Sequence, residues 1–161
     1  IDKGFTFQSG FHEANHQYMG EHYLKRTQEH TWVSEGLAGY YETAVFKNRR
    51  ITEVGKIHRE HMDEVRQAQR DGMLTPLKTF LRMSRREFYG NDPKGLNYPQ
   101  AWALVHFFMH TKDKSMRAAF YGYLDGYRAG KSAEEAFDES FGKVGVEKIE
   151  AAWRGYRKEL R

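Results

Sequence analysis

His12, Glu13 and His16 are the residues of this sequence whose types and spacing are best suited to chemistry. Histidines four apart on a helix put both imidazoles on one face, one turn apart. Two neutral ring nitrogens so arranged can approach one zinc ion at about 2.0–2.1 Å. Glu13 adjoins the first histidine, so it points near such an ion without being needed to bind it. A carboxylate there can take a proton from a metal-held water, whose pKa the metal lowers towards ~7. The pattern fixes only three positions, and its plainer alternative is two solvent-facing helix histidines, so the downstream sequence has to decide.

A catalytic zinc site needs a third protein ligand and one open position for water. The chain has no cysteine, which excludes thiolate ligands, a thiol nucleophile and disulfides, and leaves His nitrogens and carboxylate oxygens. His22, six residues after His16, stands where metzincins place their third histidine. Those enzymes turn sharply at a glycine three residues after the second histidine. Here that position is Met19, and Gly20 comes one residue late. Glu35, nineteen residues after His16, is the favoured candidate, because a ligand on a second, packed helix suits that separation.

His12-Glu13-Ala14-Asn15-His16-Gln17, followed by Trp32-Val33-Ser34-Glu35-Gly36-Leu37-Ala38, resembles the gluzincin clan of zinc peptidases, which includes the aminopeptidase N family. The nearest likeness is to bacterial gluzincin-like families without assigned substrates, whose motif reads H-E-A-x-H-Q and then W-x-S-E-G-L-A-E-Y. The resemblance implies that Glu35 is the third zinc ligand, beside His12 and His16, with one Zn2+ per chain. It extends to Tyr98-Pro99-Gln100-Ala101-Trp102-Ala103-Leu104-Val105, similar to the segment that holds the clan's catalytic tyrosine. Tyr98 lies 63 residues past Glu35, and the likeness implies that its hydroxyl steadies the oxyanion of a tetrahedral intermediate. The likeness is firm over residues 10–45 and looser over 95–160.

The expected function is therefore a zinc metallopeptidase hydrolysing peptide bonds, with Glu13 activating the zinc-bound water. The alternative is a non-catalytic, zinc-stabilised binding or scaffold module derived from a peptidase. Two departures matter. Related families often carry an acid four residues past the glutamate ligand, to hydrogen-bond a ligand histidine. Gly39 stands there, so Glu42 or another group must fill the role. The glycine-rich motif with which aminopeptidase N relatives recognise a free amino terminus is also missing; in that clan it precedes the zinc helix.

The elements expected to position these residues are almost all helical. Phe5-Thr6-Phe7 reads as a strand end or extended lead-in, and Ser9 as the cap of a helix from about Gly10 to Leu24. Thr31 or Ser34 opens a second helix running to about Lys47, and a polar helix follows from near Thr52 to Arg70. Thr75-Pro76 opens a helix from Leu77 to about Phe88. Asn97 caps an apolar helix through His110, and another runs from Lys114 to Arg128. Ser132 and Glu135 form a capping box, and Val146 to Leu160 is amphipathic. The expected fold is mainly α, a gluzincin-like catalytic helical subdomain with a small strand remnant at the N-terminus.

The length of 161 residues suits one domain with a real core, read as a catalytic piece of something longer, 1–161. The net charge of +4 and pI of about 9.2 suggest nucleic acid at first sight. Acids and bases nevertheless alternate along His58–Arg70 and Glu147–Arg161, which reads as solvated helix surface, so peptide or protein is the expected partner. No apolar run approaches the ~20 residues of a membrane span. The start carries no signal-peptide pattern; the resemblance leans towards an extracytoplasmic or secreted location. His58 and His61, three apart on a helix, could in principle clip a metal, but no third acid is placed to complete a family pattern, so they read as surface residues. His106 and His110 read as core or rim histidines, and Trp32, Trp102 and Trp153 as packing between helices.

Overall fold

The computed structural model describes residues 3–22 and 30–159, with side chains described for residues 10–22 and 30–158. The described chain is mainly helical, with one two-stranded antiparallel sheet. Three helices build the frame. Helix α2 (Thr31–Glu42) is buried from Thr31 to Tyr40, and helix α6 (Asn97–His110) from Pro99 to Phe108. They pack against each other, and α1 (Lys3–His22) lies across α2 as well.

The approach of α2 to α6 depends on Gly36. A Cβ there would stand 2.6 Å from the Ala101 carbonyl oxygen and 2.6 Å from Val105 Cγ2, so only glycine admits the α6 backbone. Trp32, one turn earlier, reaches into an aromatic cluster with Phe108, Phe120, Tyr123 and Phe141, where Phe108 and Phe120 stack at 5.2 Å. Its indole N–H donates to the Leu81 carbonyl at 3.1 Å, so the buried polar end of the ring is satisfied. Trp102 and Trp153 are buried too, in keeping with packing between helices.

Four expected boundaries differ. Residues 5–7 are helical, within α1, and the strands lie elsewhere; a strand without a neighbour leaves backbone groups unpaired, whereas a helix satisfies its own. The expected end at Leu24 lies outside the described residues. After α2 the chain forms the hairpin β1 (Val45–Lys47) and β2 (Arg50–Glu53), pairing Lys47 with Arg50 across Asn48-Arg49. Both turn residues have positive φ, 51° and 62°, as a tight two-residue hairpin turn requires.

The polar helix α3 begins at Arg59 and ends at Arg70, because Gly55, at φ 69°, cannot be helical. A Cβ on Gly55 would lie 2.1 Å from the Tyr40 hydroxyl. The segment is tied to α6 instead, the Gly55 carbonyl accepting from His106 Nε2 at 3.2 Å. The helix expected over Leu77–Phe88 is two, α4 (Leu77–Phe80) and α5 (Arg85–Gly90). Ser84 and Glu87 form a capping box between them, a local bond set that competes with helix continuation.

Beyond α6 the expectations agree with the structure. Helix α7 (Lys114–Arg128) is capped by Asp113, α8 (Ala133–Glu139) carries the Ser132/Glu135 box, and α9 (Phe141–Val144) leads to α10 (Val146–Glu159). Among the described residues, no helix is long and apolar enough to cross a membrane.

Candidate metal centre

Helix α1 presents His12, Asn15, His16 and Met19 to α2, the i, i+3, i+4, i+7 stripe of one helix face. Asn15 and Met19 are buried on this stripe, which sets the rotation of α1 and turns both histidines inward. Opposite them stands Glu35, 6% exposed, on the buried body of α2.

The three donor atoms converge. His12 Nε2 and His16 Nε2 are 3.0 Å apart, and Glu35 Oε2 lies 3.5 Å from each. Tetrahedral ligands about 2.0–2.1 Å from a zinc ion stand roughly 3.3 Å from one another, so the triangle has the size such an ion demands. Glu35 Oε2 is also buried without a hydrogen-bond partner, which is costly for a carboxylate oxygen unless a cation answers it. The residues present therefore fit a bound zinc.

Side chains behind the donors hold them in place. Tyr89, on α5, donates its hydroxyl to Glu35 Oε1 at 2.5 Å, leaving Oε2 to face the histidines. Glu42, at the end of α2, accepts from His12 Nδ1 at 2.5 Å. That bond keeps a proton on Nδ1 and turns Nε2 towards Glu35 and His16, the usual support of a metal-ligating histidine. Glu42 thus occupies the role that Gly39 leaves open, reaching back from one turn further along α2. Gly39 itself lies 3.5 Å, from an ideal Cβ, to the Trp102 ring.

Two carboxylates, Glu35 and Glu42, make the cluster electronegative. Glu35 and Glu42 beside it lift the His12 pKa from 6.5 to about 10, against the effect of burial. Burial works to raise Glu35, yet His12, His16 and Tyr89 around it hold its carboxyl at about 2. Burial, and then the hydrogen bond to Glu35, push the Tyr89 hydroxyl well above the usual phenol range, so it stays a donor.

Glu13 is exposed on α1, next to His12 and free of the α1–α2 seam. Tyr98 stands in the first turn of α6, 40% exposed, its ring 5.4 Å from Phe88 and 6.3 Å from Tyr89. Burial, and then the charges of Glu35 and Asp92, raise its pKa, which puts the hydroxyl within reach of the Glu35 field. His22 is exposed at the last turn of α1, its ring 4.5 Å from Tyr18, and outside the donor triangle. His106 bonds Tyr156 and Gly55, and His110 bonds Tyr40; both are structural ties of α6.

Sequence reasoning missed Tyr89, one residue past the expected end of the Leu77–Phe88 helix. The signal available was the Ser84/Glu87 box, which opens a separate helix and aims Tyr89. His58 and His61, expected at the surface with no acid completing a family pattern, stand near one from another helix. They are only partly exposed, and Glu42 faces them, with His58 Nε2 3.7 Å from Glu42 Oε2.

A family model described as "Protein of unknown function (DUF1570)" matches residues 9–125, which include His12, His16, Glu35, Tyr89 and Tyr98. No curated protein and no solved structure matches the chain.

Proposed function

The chain belongs to the DUF1570 family, and we propose that it is a zinc-dependent metallopeptidase of the gluzincin type. One observation carries the reading: Glu35 Oε2, buried and unpartnered, stands 3.5 Å from Nε2 of both His12 and His16. His12, His16 and Glu35 would hold the ion. Bound zinc supplies a Lewis acid that polarises a carbonyl and brings a water near pKa ~7.

The remaining work falls to side chains. Glu13, exposed beside His12, takes the proton of the attacking water and returns it to the leaving amine. Tyr98 donates its hydroxyl to the oxyanion as the carbonyl becomes tetrahedral. Glu42 holds the His12 ring, and Tyr89 holds the Glu35 carboxylate, so the donors need no rearrangement. The exposure of Glu13 and Tyr98 supports a peptide substrate, since an extended chain can lie over both.

Zinc analysis paired with peptide-library cleavage tests the reading. The expected result is zinc bound through the triad in wild type and in Glu13→Gln, with cleavage lost in the variant. Zinc held at the triad with no peptide cleaved by wild type would favour a zinc-stabilised binding module instead. Glu35→Ala should strip the ion while His22→Ala leaves it; the reverse would revive the metzincin ligand set.

A further inference from the structure

We propose that Glu42, His58 and His61 form a second divalent-cation site, joined to the first through the Glu42 carboxylate. Its donors come from the end of α2 and the start of α3, and one ligand atom from each lies within 4.8 Å of the others. Glu42 uses Oε1 on His12 and turns Oε2 to His58 Nε2 at 3.7 Å. The imidazoles of His58, which caps α3, and of His61 lie face to face, 3.9 Å apart and 15° from parallel.

This is a supported arrangement rather than a chance meeting of surface groups. The burial of Met62, Val65 and Ala68 packs α3 on α6, which fixes where its first turn can stand. Trp102 of α6 lies against both rings, at 6.1 and 6.0 Å, and forms an apolar wall behind them. His61 Nδ1 meets Glu64 Oε2 at 3.2 Å, which places a proton on Nδ1 and a lone pair on Nε2. His58 Nδ1 now receives the His61 backbone N–H at 3.4 Å, a long contact that ligation through Nε2 would give up at small cost.

Two imidazoles and one carboxylate suit zinc and its first-row neighbours better than calcium or magnesium, which prefer oxygen. The side chains are 18% (His58), 22% (His61) and 21% (Glu42) exposed, which leaves water access for the fourth position. Drawing the donors together requires only side-chain rotation, from separations of 3.7–4.8 Å to roughly 3.3 Å. The inference needs no hydrolytic activity and goes beyond the peptidase reading.

Titration calorimetry of the full chain with zinc, backed by elemental analysis, tests it. Wild type should take two zinc ions per chain, and His58→Ala/His61→Ala one, the lost phase weakening at least tenfold. His61→Gln alone, with circular dichroism unchanged, should show the same loss if the double variant folds poorly. His22→Ala should keep both ions, and His16→Ala should lose one and keep the ion held by His58. One zinc in wild type, unaffected by the His58 and His61 changes, overturns the second site and leaves the first standing. Loss of the wild-type zinc in His61→Gln but not in His16→Ala would sink the peptidase centre and keep this site.

Discussion

The Tyr89 hydroxyl donates to one oxygen of Glu35 at 2.5 Å, and the other oxygen is left buried towards His12 and His16. A carboxylate free to rotate would share its two oxygens between orientations, and the bond removes that freedom. Tyr89→Phe should therefore lower zinc affinity about 10–100-fold, the usual effect of losing a group that orients a ligand. Unfolding stability should change little, because the Tyr89 ring is 43% exposed. Chelator competition and chemical denaturation of the same variant separate the two effects.

Tyr98 has a different part. It stands beside Tyr89 but makes no bond to Glu35 among those described, and its exposure leaves its hydroxyl available to a substrate. Tyr98→Phe should keep zinc affinity and lower kcat about 100–1000-fold, the range for removing an oxyanion donor. A fall in zinc affinity without a fall in kcat would exchange the roles of the two tyrosines.

Glu42 supports the site from the side opposite Tyr89. Its carboxylate fixes the tautomer of His12, so Glu42→Gln should weaken zinc binding at the triad about 10–100-fold. Gly39→Glu, by contrast, would place the acid where related families have it, but on the side of α2 that meets Trp102. That substitution alone should not rescue Glu42→Gln. Zinc affinity of the single and double variants decides it.

How much of this was legible in the sequence follows from the range of each interaction. The convergence of His12, His16 and Glu35 was readable because helical periodicity puts the two histidines on one face, and the Trp32–Ala38 surroundings marked the glutamate. The mainly helical fold followed from the same periodicity. The segment 52–58 misled because its polar pattern suits an exposed helix, while Gly55 is held at a positive φ of 69° against Tyr40 and His106 from elsewhere in the chain. That turn carries His58 and His61 back to Glu42, so their meeting is tertiary and leaves no spacing to read. Ser84 and Glu87 did leave a local signal, outweighed by the apolar pattern of Leu77–Phe88, and Tyr89 was lost with it.

Gly36 tests whether the centre depends on the close approach of α2 and α6. A methyl group there meets a backbone oxygen at 2.6 Å, which cannot swing aside as a side-chain end would. Gly36→Ala should destabilise the fold by about 2–3 kcal/mol or more, despite alanine's better helix propensity. Because Glu35 is the preceding residue, the helix shift should also cost zinc affinity. Denaturation midpoints with and without zinc measure both.

His106 sets a pH dependence that is independent of the metal centre. Its ring is 3% exposed and fully paired as a neutral imidazole: Nε2 donates to the Gly55 carbonyl, and Nδ1 accepts from the Tyr156 hydroxyl at 2.9 Å. Burial, and then the neighbouring His110, lower its pKa from 6.5 to about 4. The unfolded chain takes up this proton as the pH falls through 6.5, and the folded chain does not until about pH 4. Its contribution is thus complete above 6.5 and lost between 6.5 and 4, on the order of 2–3 kcal/mol. His30, lowered to about 4 by burial and the nearby Arg82, acts in the same direction. Urea denaturation of wild type and His106→Gln at pH 7, 5.5 and 4.5 isolates the first. The variant should be less stable at pH 7, and the gap should narrow as the pH falls. A constant gap would mean that His106 takes up its proton alike in the folded and unfolded states.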